Sequence, residues 1–186
     1  GYEHPEISAI LSKLDPNKVL VFDYLNPSWG DYSSVVQEFE SSLYENLKSA
    51  LSAINKYKSL IFVCPDSANH PAVAKQAFLA FCKDHKIEGV IQDEPGKEIK
   101  DHAFLVVDDK HLIEVVKRTR ESGLRTGTDV GIISFNDYPM KEVLEGGITV
   151  ISPDFYEMAK QIANGISKRE KICSLVPPRV ILRNSL

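Results

Sequence analysis

A chain of 186 residues with 43% hydrophobic and 26% charged side chains is long and apolar enough to bury a core as one domain or two small lobes. Its formal net charge of −4 argues against a chain that grips nucleic acid by itself, because phosphate binding needs clustered cations. No apolar run approaches the ~18 residues of a membrane span, and three cysteines without a CxxC pair suit reduced, buried thiols.

In chain order, residues 4–14 predict a short helix, with Pro5 at its start and Ile7, Ile10, Leu11 and Leu14 on one face. Residues 19–22 predict a buried strand that delivers Asp23 and Tyr24 at its end. A loop with Pro27, Trp29 and Gly30 leads to a second strand at 34–37. Leu43, Leu47, Ala50, Leu51 and Ile54 then recur at helical spacing. A strand at 59–63 runs into the polar loop Pro65-Asp-Ser-Ala-Asn-His70, followed by a helix that packs Val73, Ala77, Phe78 and Phe81. Strands follow at 89–91 and 104–107. Asp108 and Asp109 open the helix of Leu112, Val115 and Val116, where carboxylates complement the positive helix end. That helix stops at Gly123, suited to the left-handed residue after a helix. A continuous apolar run at 130–135 then reads as a buried parallel strand, with Asn136 and Asp137 just past its carboxyl end. A short helix at 140–144, a strand at 148–151, a helix from Pro153 with Phe155, Met158, Ala159, Ile162 and Ile166 inward, and a strand at 179–183 complete the chain. Strand and helix alternate throughout, which predicts α/β architecture with parallel sheets.

The polar groups recur at one kind of place. Asp23, Asp66, Asp108 and Asn136 each follow an apolar strand, and in parallel sheets such ends face the same way, where ligands of open α/β sheets bind. Each of the four also reads as a helix cap. Together they suit a polyhydroxylated ligand, whose hydroxyls need fixed carboxylate and amide partners. Trp29 and Phe155 read either as sugar-stacking rings or as core, and His70 as a capping or ligand-contacting histidine. Asp108, Asp109 and His111 diverge at a helix start, which argues against a metal. Gly123, Gly127 and Gly131 lack dinucleotide-fingerprint spacing, and no GxSxG, P-loop or HExxH motif occurs. The basic groups Lys117, Arg118 and Arg120, and Lys168, Arg169 and Lys171, read as solvated helix ends.

The stretch 121–137, Glu-Ser-Gly-Leu-Arg through Phe-Asn-Asp, resembles the "ESGLR.G.D(I/V)" and "G(F/Y)DD" motifs of lactose-repressor-type sugar-sensing domains, which are themselves similar to periplasmic binding proteins. Val21-Phe-Asp23, Leu60-Ile-Phe-Val-Cys-Pro-Asp-Ser67 with Ala77, Phe78 and Phe81, Ala103 to Asp109, and Ile148-Thr-Val-Ile-Ser-Pro-Asp-Phe155 resemble further motifs of that family. The tail from Arg179 to Leu186 and the Phe135-Asn-Asp variant look like GntR-type regulators that carry such a domain behind a winged helix. Two departures stand out. The family's sugar-clamping arginine has no match, with Ala72 and Ala74 near its place, and Asn136 replaces the first acid of the Asp-Asp pair.

The resemblance implies an α/β, periplasmic-binding-protein-like fold of two parallel-sheet lobes, the N-lobe incomplete. Residues 1–57 would form a partial N-lobe, 58–146 the C-lobe, 147–168 a return to the N-lobe, and 169–186 the C-terminal crossover and strand of the C-lobe. It implies a non-enzymatic, dimerising effector domain of a bacterial transcriptional regulator of carbohydrate use, cut off from its DNA-reading head. The effector would be a sugar, of monosaccharide size, without metal or cofactor. The expected ligand set is Asp23, Trp29, Gln37, Asp66, Ser67, His70, Asp108, Asn136, Asp137 and Phe155, with Asp23, Gln37 and Phe155 facing Asp66, Asp108 and Asn136 across a cleft. No signal-peptide pattern opens the sequence, so a cytoplasmic protein, or a piece of one, is expected; DNA would be met only through a winged helix, and no membrane. Two alternatives stand beside this reading. One is a receiver-like phosphotransfer domain, for which Asp108-Asp109 would be the acid pair; the other is a transport-type sugar-binding protein.

Overall fold

The computed structural model describes residues 5–38, 42–65 and 72–186. Among them, no helix is long and apolar enough to cross a membrane. The chain divides into two compact units, Gly1–Glu38 with Pro153–Pro178 and Phe39–Ser152 with Arg179–Leu186.

The first unit contains helix α1 (Pro5–Leu11), strand β1 (Leu20–Asp23), strand β2 (Ser33–Gln37), helix α7 (Phe155–Lys168) and strand β8 (Cys173–Val176). Its sheet has the order β1-β2-β8, all parallel. Helix α7 crosses over to β8, and Asp154 caps it by accepting a 2.9 Å bond from the Glu157 N–H, which satisfies one orphan donor of the first turn. Met158 and Ile162, one turn apart, pack with Phe155 and Ile172 against Val35 and Val176.

The second unit holds α2 (Ser42–Ser49), α3 (Leu51–Ile54), β3 (Ser59–Val63), α4 (Ala72–His85), β4 (Glu88–Gln92), β5 (His102–Val106), α5 (Asp109–Glu121), β6 (Gly131–Phe135), α6 (Pro139–Val143), β7 (Thr149–Ser152) and β9 (Arg179–Ile181). The sheet order is β4-β3-β5-β6-β7-β9. Five strands are parallel and β9 closes the edge antiparallel to β7. Both faces are covered, so the central strands are largely apolar and are buried at nearly every position. Along β3, Leu60 and Phe62 join the core under α2, α3 and α4, while Ile61 and Val63 join the core under α5, as the two-residue period of a strand requires. Each such side chain buried contributes about 1.5–3 kcal/mol.

Helix α5 ends as the sequence predicts. Gly123 sits at φ 66°, its N–H donates to Arg120 O, and the Leu124 N–H donates to Thr119 O, each at 3.0 Å. This is the paired closure that an αL residue allows.

Several expectations are corrected. The apolar repeat at 43–54 breaks at Ala50 into two helices. Leu43, Leu47, Ala50 and Ile54 pack with Leu60, Phe62, Phe78 and Phe81, so this segment covers a face of the larger sheet and does not belong with residues 1–38. Strand β7 pairs with β6 and therefore stays in the second unit, which moves the expected boundary from 146/147 to 152/153. Strand β8, which no apolar run signals, completes the smaller sheet. The strand order is not wholly parallel, because the tail returns along β7 and pairs in the reverse direction.

Candidate functional site

In the second unit the chain leaves β3, lays β4 on one side of it and β5 on the other. The order reverses between β3 and β5, and ligands of open α/β sheets bind at such a reversal, outside the carboxyl ends of the strands. The loop after β3 carries Asp66, Ser67 and His70, which lie outside the described residues. The loop after β5 delivers Asp108, and the neighbouring strand β6 delivers Asn136 and Asp137.

Asp108 caps α5: its Oδ1 accepts the His111 N–H at 2.9 Å. The carboxylate is 44% exposed, so the remaining lone pairs face solvent while the cap holds the group in place. His111 Nδ1 comes within 2.9 Å of the same oxygen, but neither buried ring nitrogen completes a hydrogen bond with a protein group. Asp108 is thus a cap, as the plain reading allowed, and is still open to a ligand.

Asn136 is exposed and lies at φ 62°, a left-handed position that asparagine tolerates better than most residues. Its N–H donates to Ile151 O at 2.9 Å. Asp137 is held differently from expectation. Arg183 donates to both of its carboxylate oxygens, at 2.8 and 2.7 Å, and also to Ile148 O at 3.0 Å. The Asp137 N–H donates to Ser152 Oγ at 3.0 Å. That commits the Asp137 carboxylate to anchoring the C-terminal tail. The carboxylate in turn raises the Arg183 guanidinium above its ordinary range, chiefly through these hydrogen bonds.

Under this edge lies a group the sequence reading passed over. Lys141, on α6, is buried, and its ammonium donates to Ser134 Oγ at 2.8 Å, Phe135 O at 2.6 Å and Asn136 O at 3.0 Å. It also pairs with Asp109 Oδ1 at 3.2 Å and lies 4.6 Å from the Tyr138 ring centroid. Burial lowers its pKa, with Asp109 opposing. Burial also raises the Tyr138 hydroxyl, with Asp109 adding to the effect; that hydroxyl is shut from solvent and meets no partner within hydrogen-bond geometry. A lysine four residues past a polar turn reads as a solvated surface group, and only the convergence of two carbonyls on it reveals its place.

In the first unit, Asp23 and Gln37 end adjacent strands, and the Gln37 amide donates to Asp23 Oδ1 at 2.5 Å. Asp23 has φ 75°, so the chain turns sharply as it leaves β1. Trp29 sits in a short 3-10 turn, Pro27–Trp29, capped by Asn26, and meets Tyr24 edge-on with ring centroids 6.2 Å apart. Phe155 is half-buried at the start of α7, against Val35, Met158 and Val176. Among the described residues, no group of three or more His, Cys, Asp or Glu side chains is placed to hold a metal ion.

A family model for the periplasmic binding protein-like domain matches residues 47–186. No curated protein matches the sequence. Among solved structures, the Lac repressor bound to ONPG aligns with TM-score 0.62 at 15% identity, over 90% of this chain and 56% of that one. The chain therefore spans little more than half of that repressor's length. A LacI-family transcriptional regulator from an Arthrobacter species, in complex with lactose, aligns with TM-score 0.73 at 18% identity, over 100% of this chain and 76% of that one. A LacI-family regulator from Enterococcus faecalis with bound ribose aligns with TM-score 0.67 at 16% identity, over 89% and 67%. At such identities the likeness shows the fold. These structures are LacI-type, so the narrower GntR-type expectation gains no support from them. The receiver-like alternative loses its footing as well, because the family match includes the Asp108-Asp109 pair on which it rested.

Proposed function

The chain belongs to the periplasmic binding protein-like domain family, and from that premise we propose that it is the effector-sensing domain of a LacI-like transcriptional regulator whose effector is a sugar. The observation that carries this reading is the strand-order reversal between β3 and β5, with half-exposed Asp108 and exposed Asn136 at the carboxyl ends of β5 and β6. A capped, half-exposed carboxylate and an exposed amide on rigid strand ends suit a neutral polyhydroxylated ligand, which needs acceptors and donors at fixed positions. Lactose and ribose in the two LacI-family structures support a sugar of small size.

In the second unit the proposed ligand groups are Asp108 and Asn136, together with Asp66, Ser67 and His70. In the first unit they are Asp23, Gln37, Trp29 and Phe155. Asp137 is assigned to the tail instead. The domain acts without catalysis, in the cytoplasm, as a homodimer that matches two DNA half-sites, and DNA is read by a head outside the residues described.

The test is a thermal-shift screen of the full gene product against neutral aldoses, lactose, nucleosides and amino acids. A true effector binds the folded state and adds about 2.7 kcal/mol of stability at one hundred times its dissociation constant. A concentration-dependent rise with a sugar supports the reading. A rise with only nucleosides or amino acids overturns the sugar assignment.

A further inference from the structure

The ammonium of Lys141 is the buried charge that neither the cap of α5 nor the proposed ligand contacts explain. A strand's successive carbonyls point to opposite sides. Here those of Phe135 and Asn136 both accept from one ammonium. That convergence needs the chain to turn at Asn136, and φ 62° there is the turn. Three elements meet at this nitrogen: the end of β6 through Ser134, Phe135 and Asn136, the start of α5 through Asp109, and α6 through Lys141 itself. Asp108, next to Asp109, is half-exposed and Asn136 is exposed at the carboxyl ends of β5 and β6.

From this geometry we infer that Lys141 is a positioning residue: its ammonium fixes the left-handed turn that presents Asn136 and ties that turn to the acidic start of α5, so the two strand-end groups keep one spacing. This rests on the ligand reading above. The ammonium is buried and touches no ligand itself. It acts by holding the backbone that does. Carbonyls brought together by a cation separate when the cation is removed, because their parallel dipoles repel.

The experiment uses Lys141→Met, which keeps length and apolar packing, and, should methionine prevent folding, Lys141→Gln, whose uncharged amide ends one bond short of the ammonium's position. Amide hydrogen exchange at residues 135–138 is read first, without ligand. The expected result in a variant that still melts cooperatively is exchange faster by about tenfold or more at these amides, with the β3 and β5 amides unchanged. Affinity is read next by calorimetry, with neutral aldoses and lactose as probes. A loss of about tenfold is expected for Lys141→Met. Little further loss is expected when it is added to Asn136→Ala, because both changes remove the same contact.

Unchanged exchange at 135–138 in either folded variant overturns the inference. So does a full additional affinity loss in the Asn136→Ala background, which marks a general packing role instead. If no probe binds the parent protein, the sugar reading fails, and the exchange result still decides the role of Lys141.

Discussion

Replacing Arg183 with methionine removes the fork that holds Asp137. Two charge-assisted bonds, at 2.8 and 2.7 Å, and one to the Ile148 carbonyl at 3.0 Å are lost. Hydrogen bonds to charged groups contribute about 1.5–3 kcal/mol each when shielded. The side chains of Arg183 and Asp137 keep 17% and 20% exposure, so water recovers part of that, and screening lowers it further. A net loss of about 2–3 kcal/mol follows, between the small worth of an exposed pair and the roughly 3–5 kcal/mol for breaking a fully buried one. In a domain of this size that lowers the melting temperature by about 4–12 °C. Glu142, 3.7 Å from the guanidinium, retains some attraction in Asp137→Asn, so the pair's coupling should be smaller, about 1–2 kcal/mol. The assay is urea unfolding of Arg183→Met, Asp137→Asn and the double variant, read as a double-mutant cycle. Coupling below about 0.5 kcal/mol would refute the anchoring role. So would a loss of sugar affinity in Asp137→Asn at undiminished stability, which would return Asp137 to the ligand set.

Two further outcomes are expected. A methyl group on Gly131 would lie 2.7 Å from the Tyr57 ring and 3.0 Å from Ala103 Cβ, so Gly131→Ala should cost about 1–3 kcal/mol by overpacking, and an unchanged denaturation midpoint would contradict the packing described. Burial raises the Cys82 thiol to about 11, and thiolate is the reactive form. In the folded protein at pH 8 a disulfide reagent should therefore titrate Cys173, which is exposed, and spare Cys64 and Cys82, which are buried; three equivalents released at once without denaturant would contradict this.

The features legible in the sequence are those set by local pattern. The runs at 59–63 and 130–135 read as strands because burial on both faces makes most positions apolar, and Asp108 and Gly123 read as helix ends because caps need particular side chains or a left-handed residue. What stayed hidden depends on distant parts of the chain. Cys173–Val176 exposes alternate positions, so β8 carries no apolar run and is defined by pairing with β2. The allegiance of residues 42–54 is set by which sheet face needs cover, and helical spacing says nothing of that. Asp137 reads as a ligand acid until Arg183 arrives from 46 residues away. Lys141 reads as a surface lysine until the turn at Asn136 aims two carbonyls at it.

The most direct test of the central claim is calorimetric titration of the sugar found in the screen into the parent protein, Asp108→Ala and Asn136→Ala. Losing one hydrogen bond to a charged group at Asp108 should weaken binding by about 1.5–3 kcal/mol, roughly ten- to hundredfold. The fold should lose only the cap of α5, about 1 kcal/mol. Asn136→Ala should also weaken binding, with α5 undisturbed. Parent-like affinity in both folded variants would contradict the account and leave these strand-end residues as caps and turns alone.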